Sequence, residues 1–412
     1  MKRILLAGLF ILSSAVCFSQ RYGNEWINYS QQYFKIKVWQ DGIYRINRTQ
    51  LVFSGVPLST IDPRKLQLFH NGQQEHIFIA GENDGSFDNN DYLEFYGEKN
   101  DGAFDSVLYA DHNWQPNPNY SNFTDTSVYF LTWSIATNGL RFAPETDTLY
   151  NGYTPSAYCL RKSFYQQPDD YNYGYNSNSM DYTESEGWCA SFGYRQDIGV
   201  FFPLNVNLPV NQVYTSGPLA FLETSVGGIN NLPHRIGITY AGTTFSDIYY
   251  VQSHRTYQFN VNANQLTTPS TQVSFTVPPP APSGNDYNAF YYVSLVYPHT
   301  FDFENSTSFL FDLPDQVGQS KARLDITNFN GSNTTPVLYD LTNHRSIPVT
   351  GSGTTLHALV PNDGNSTPKR CILFNPVSAL SPASISGINY IQNNFGYFNN
   401  FSISPVDSAF II

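Results

Sequence analysis

The residues whose types and spacing come closest to doing chemistry lie in GENDGSFDNNDYLEFYG, residues 81–97, where Glu82, Asp84, Asp88 and Asp91 crowd around Gly85. Asp84, Gly85, Phe87, Asp88 and Asp91 match the second half of a calcium loop of the D-x-[DN]-x-[DN]-G type, in which glycine permits a sharp turn and carboxylates supply hard oxygen ligands. The first half departs from that pattern: Ala80 stands where the leading Asp belongs, and Glu82 takes the next ligand position. Two readings follow. Either Glu82, Asp84, Asp88 and Asp91 hold a calcium ion, the one cofactor this chain suggests, or they cap their own backbone in an Asx-rich turn. Under both, the alternation of residues 92–96 makes the exit a strand.

No other constellation has catalytic spacing, so the expected catalytic set within the chain is none. No HExxH, GxSxG or SxxK occurs, and GSGTT at 351–355 lacks the lysine of a phosphate-cradling loop and reads as a hairpin turn. Three cysteines follow residue 20: Cys159, Cys189 and Cys371. An odd number allows one disulfide with a thiol left over, or three buried thiols. If Cys159 joins Cys189, the closed loop of about 30 residues adds ~3 kcal/mol by chain entropy.

These groups must be positioned by β structure. Tyr and Phe number 30 and 31, charged residues make up only 13%, and helix-favouring surface residues are scarce, so the chain reads as all-β. The 28 Gly and 25 Pro punctuate short runs, which suits tandem β-sandwich or jelly-roll domains. Lys2 and Arg3, the apolar LLAGLFILSSAV and a polar exit at Ser19 and Gln20 read as a secretory signal over 1–20. No later window has the ~18 apolar residues of a membrane span. A net charge of −12, with 21 scattered Lys and Arg, argues against nucleic acid, which needs a basic stripe. The chain is expected to be exported, at the cell surface or outside the cell.

Residues 21–152 form the first expected β domain. FKIKVWQDGIYRI at 34–46 reads as a hairpin turning at Asp41 and Gly42, a helical turn capped by Thr49 follows, and strands at 66–70 and 76–80 flank Asn71 and Gly72. Between 153 and 187 a run rich in Tyr, Asn and Ser reads as a covering loop or as an aromatic platform for sugar or peptide. Strands are expected at 201–208, 219–226, 234–240, 248–251, 256–262, 272–277 and 290–297, making 153–303 a jelly-roll-like sandwich. A smaller β unit follows over 304–405, with strands at 308–312, 323–329, 336–340, 355–360 and 370–375. The apolar run from Ala409 to Ile412 reads as the first strand, within 406–412, of a further domain.

The hairpin FKIKVWQDGIYRI, IDPRKLQLFHNGQ at 61–73, DGSFDNNDYLEFYG at 84–97 and TDTSVYFLTW at 124–133 resemble the amino-terminal region of the gingipain family, caspase-like cysteine peptidases of Bacteroidetes that include sortase-like members of type IX secretion. Weaker likeness lies at Glu186 to Trp188, at 292–301 and at 337–349. The resemblance implies accessory β domains ahead of an α/β peptidase domain beyond Ile412, with that domain, secreted cargo and other type IX components as partners. Family catalytic domains use a His followed by Gly and a Cys after a buried strand. None of the histidines at 70, 76, 112, 234, 254, 299, 344 and 357 precedes Gly, so no catalytic residue carries over. A non-catalytic surface module binding glycan or peptide is the alternative.

Overall fold

The computed structural model describes residues 23–400, apart from 176–177, 281, 332–333, 352–353 and 390–394. The signal segment, the strand expected after Ala409 and part of the 351–355 turn lie outside the described residues.

The chain opens with β1 (Phe34–Val38), β2 (Gly42–Asn47), helix α1 (Arg48–Phe53), β3 (Leu66–His70), β4 (Gln73–Glu75), β5 (Phe78–Ile79), β6 (Tyr92–Gly97), β7 (Ser127–Trp133) and β8 (Ala143–Pro144). It continues with β9 (Cys159–Tyr165), β10 (Asp170–Asn172), β11 (Gly187–Arg195), β12 (Val200–Phe202), β13 (Leu204–Pro209), β14 (Ala220–Gly228), β15 (Pro233–Tyr240), β16 (Thr243–Tyr250), β17 (His254–Val261), β18 (Ser270–Thr276) and β19 (Asp286–His299). It closes with β20 (Asp302–Ser306), β21 (Ser308–Leu313), β22 (Lys321–Phe329), β23 (Val337–Asp340), β24 (Arg345–Ile347), β25 (Thr355–Pro361), β26 (Lys369–Phe374) and β27 (Ser384–Gly387).

The first sandwich sets a five-stranded sheet, β27-β1-β7-β3-β4, against a three-stranded one, β2-β6-β5. Alternation in FKIKV points Phe34, Ile36 and Val38 into the core, where they meet Tyr44 and Ile46 of β2 and Leu93 and Phe95 of β6. The expected hairpin is therefore corrected. β1 and β2 turn inward from opposite sheets and do not pair: β1 pairs with β7 and β27, and β2 with β6. The chain rounds this corner at Gly42, with φ +152 and so little room that a Cβ would meet Leu380 at 2.9 Å. The helical turn also differs in its cap: Asn47, not Thr49, accepts from the Gln50 N–H, and the Gln50 side-chain oxygen in turn accepts from the Asn47 N–H.

A twelve-stranded sheet forms the spine of the molecule, with the path β10-β11-β19-β9-β21-β26-β23-β24-β8 and with β14, β17 and β12 beside it. Strands from both sides of positions 303 and 304 meet in it, β9 pairing with β19 on one side and β21 on the other. Against its β11, β14 and β19 end lies the four-stranded sheet β13-β18-β15-β16, and residues of both sheets share a core around Phe192, Phe275 and Phe290. Against its β21, β26 and β23 end lies the sheet β20-β22-β25, with Phe309, Phe311 and Leu373 facing Leu324 and Val360. β9 lies within the Tyr- and Asn-rich stretch expected to be a loop, and β11 begins at its end.

Strand period decides how this spine is used. In β26, Cys371 and Leu373 enter the core shared with β20-β22-β25, while Ile372 and Phe374 point the other way, to Ile43 of β2. Leu373 and Ile372 are respectively 0% and 2% exposed, so both faces are dry. Leu373→Ala and Ile372→Ala should each lower stability in urea unfolding by about 2–5 kcal/mol. A loss below about 1 kcal/mol at Ile372 would show that the first sandwich is not packed on the spine.

Candidate functional site

The acidic loop is built by glycine and carboxylate together. Gly81 and Gly85 adopt φ +83 and +81 on either side of a single 3-10 turn over Glu82–Asp84, and a Cβ on Gly81 would lie 2.0 Å from the Asp91 carboxylate. The four candidate ligands do not converge. Asp91 accepts the Asp88 N–H at 2.6 Å, Asp84 accepts the Ser86 N–H at 2.9 Å, and Glu82 pairs with Arg141 at 2.9 Å. Asp88 is exposed. Among the described residues no group of three or more His, Cys, Asp or Glu is placed to hold a metal ion. As placed, Asp84 and Asp91 cap backbone N–H groups, and Phe87 plugs the loop into the first core.

The thiols are structural. Cys159, Cys189 and Cys371 are free and buried, so the expected pairing of Cys159 with Cys189 is corrected. Cys159 lies opposite His299, whereas Cys189 adjoins Ala190, which lies opposite Phe290, nine residues along β19. At ~3.3 Å per residue that is about 30 Å, far beyond the reach of a disulfide. Burial pushes the Cys189 thiol up to about 12 and the other two higher, so none is a thiolate at neutral pH. His299, next to Cys159, spends both ring nitrogens, on the Thr300 carbonyl at 2.5 Å and on Glu304 at 2.9 Å. His234 does likewise with Asp286 and the Asn230 carbonyl.

The Tyr- and Asn-rich stretch is tied to the spine. A bulge in β19 at its pairing with β14 leaves Tyr291 unmatched and turns it to the same side as Tyr292. Its hydroxyl donates to the Ser185 carbonyl at 2.5 Å and accepts from Asn172 at 3.0 Å, while Tyr171 packs edge-on against Trp188. Tyr173 and Tyr175 remain exposed at the surface of this cover.

Ionisable groups collect elsewhere, around a cleft of about 210 Å3 between the first sandwich and the spine, lined by Glu75, His76, Glu98, His344 and Arg370. His76 and His344 stack at 3.7 Å, and Arg370 pairs with Glu98 at 2.9 Å and reaches the Tyr96 hydroxyl at 3.3 Å. Beside it, His70 Nε2 lies 2.7 Å from Ser127 Oγ, but its Nδ1 is 3.9 Å from Glu75, beyond hydrogen-bond range. Burial lowers His70 to about 4, leaving a weak base, and Ser127 is only 8% exposed. The order Ser, His, Glu is present; the geometry of a working triad is not. None of these residues carried a sequence signal, because Glu75 and Arg370 meet only after the sheets stack.

Two expectations follow. The unfolding midpoint should be unchanged by chelator or by added calcium, and a calcium-dependent rise abolished by Asp84→Ala plus Asp88→Ala would instead put an ion in the acidic loop. Burial, reinforced by Glu98, raises Glu75 from 4.5 to about 7. The folded state therefore holds this proton more tightly than the unfolded one, and its contribution is full below 4.5 and lost as pH rises through 7. Glu75→Gln should flatten the fall in melting temperature between those values, and an unaltered slope would remove Glu75 as its source.

No protein-family model matches the chain, and no curated protein matches it. Among solved structures, the carbohydrate-binding module CBM36-1 of a multidomain xylanase, from the hindgut metagenome of Trinervitermes trinervoides, is 12% identical and overlays 33% of this chain and 95% of its own at a TM-score of 0.20. Dimeric latent PorU from Porphyromonas gingivalis is 14% identical, with a TM-score of 0.54 over 86% of this chain and 33% of its own. The chain thus spans about one third of PorU's length, and the likeness is one of fold: this chain carries the β architecture of that part of PorU.

Proposed function

We propose that this chain is the amino-terminal, non-catalytic region of an exported gingipain-like cysteine peptidase of the PorU kind, a sortase-like protein that processes secreted cargo at the cell surface. The observation that carries the reading is the extent of the fold likeness, 86% of this chain against only 33% of PorU. The chemistry of the described residues is in keeping with it: the thiols are buried and protonated, and the serine beside His70 lacks an oriented base. What these domains supply is a rigid stack. Arg370 with Glu98, and the Tyr339 hydroxyl on Glu94, which Arg45 holds from within the first sandwich, fasten that sandwich to the spine, so a following domain would be held by one body and not by a flexible string.

The test begins with the reading frame after Ile412, which should continue into an α/β domain with a His-Gly pair and a later strand-end Cys. Replacing that Cys by Ala in the producing cell should leave cargo with its carboxy-terminal signal attached. A stop codon directly after Ile412, or cargo matured normally in the variant, would overturn the proposal.

A further inference from the structure

A cavity of about 640 Å3 opens at the end of the five-stranded sheet, between the Asn71–Gly72 turn and residues 98–105. Its size falls within the usual range for small-ligand sites. One side is aromatic. Trp26 lies on Phe69 at 5.2 Å and against Phe130 at 5.3 Å, and Gly72 lets the indole come down onto the turn, since a Cβ there would meet it at 3.3 Å. Opposite stands Phe104, 60% exposed on a 3-10 turn with no core to serve. Water gains nothing from such a ring, but a ligand with an apolar face does.

The rim is polar and partly unengaged. Asn71 and Lys99 line the cavity, and among the described residues neither side chain has a hydrogen bond or ion pair. Asn71 sits at φ +49 as the first residue of the two-residue Asn-Gly turn between β3 and β4, a conformation that Asn tolerates and that glycine would adopt freely. Asp101 spends one oxygen on the Ala103 N–H at 2.9 Å, which fixes the wall and leaves its other oxygen at the rim. The larger groove near Asp302 and Glu304, about 780 Å3, differs on both counts. No ring lines it, and its carboxylates are consumed by Asn328, Asn211, Arg161 and His299.

We infer that the Trp26 and Phe104 cavity is a saccharide-binding site for a neutral oligosaccharide. Flat rings meet the apolar face of a pyranose, while a carboxamide, an ammonium and a carboxylate at the rim suit hydroxyl groups that both donate and accept. An extended peptide fits less well. β3 and β7, which border the cavity, each have partners on both sides, so neither offers a free edge for strand addition. The inference stands apart from the accessory role proposed above, since it requires no peptidase domain.

The test is calorimetric titration of the full-length protein with cellohexaose, xylohexaose, mannohexaose and laminarihexaose, alongside an unstructured decapeptide mixture. At least one hexasaccharide should bind saturably. Phe104→Ala removes an exposed ring, and Asn71→Gly keeps the left-handed turn while deleting the carboxamide. Each should weaken binding about tenfold or more without lowering the melting temperature. No heat with any of the four sugars, undiminished affinity in both variants, or saturation by the peptides alone would overturn the assignment.

Discussion

The constraint on which the rest of the structure depends is that one sheet has to be buried on both faces. β19 shows it most fully: of its fourteen residues, Tyr287 and Val296 alone are not buried. A strand in that position can carry no alternation of polar and apolar residues, which is why YYVSLVY reads as a nearly continuous apolar run. Two cores then compete for each neighbouring side chain, and the pleat settles the competition residue by residue, as in Cys371, Ile372, Leu373 and Phe374 of β26. Where the spine is needed on one side for two successive residues, the bulge at Tyr291 breaks the period. The hydroxyl so redirected is what holds Asn172 and Ser185, and with them the long polar cover.

This explains what was legible in the sequence and what was not. Strands bury one face or two and announce themselves by pattern, so the runs around β6, β14, β15, β21, β22, β25 and β26 could be placed within a few residues. Pairing carries no such signature. FKIKV and GIYRI face one core, but the same alternation serves two strands of one hairpin or two strands from opposing sheets, and only Leu380, more than 330 residues later, closes the corner at Gly42. β9 and β11 were obscured for another reason. They flank a stretch of chain thick with Tyr, Asn and Ser, and composition averaged over a window reports the cover and not the strand.

The sites follow the same division. The acidic loop was visible because its glycines and carboxylates are neighbours in sequence, and local turns are made of neighbours. Carboxylate spacing alone does not distinguish a ligand from a cap, since both need an oxygen aimed inward; in this structure Glu82, Asp84 and Asp91 are partnered by Arg141, Ser86 and Asp88. The cleft holding Glu75, His76, His344 and Arg370 has no local signature at all. Its histidines are neutral and its carboxylates protonate easily because two sheets close over them.

Stacking also determines where accessible chemistry can be. From the five-stranded sheet through β2-β6-β5 and the spine to β20-β22-β25, successive faces meet in the shared cores, so a ligand has no sheet face to lie on within the stack. Apart from the outer faces of the outermost sheets, what remains open is strand ends, corners and the loops that join them. The Asn71–Gly72 turn, the acidic loop after β5 and the 98–105 wall all lie at such ends. Side chains there are free of the demands of packing, as the exposed ring of Phe104 and the unengaged Lys99 illustrate, yet they are carried by strands that cannot shift without opening a core. That combination of rigid support and unconstrained tips is the physical setting in which recognition evolves on a β scaffold.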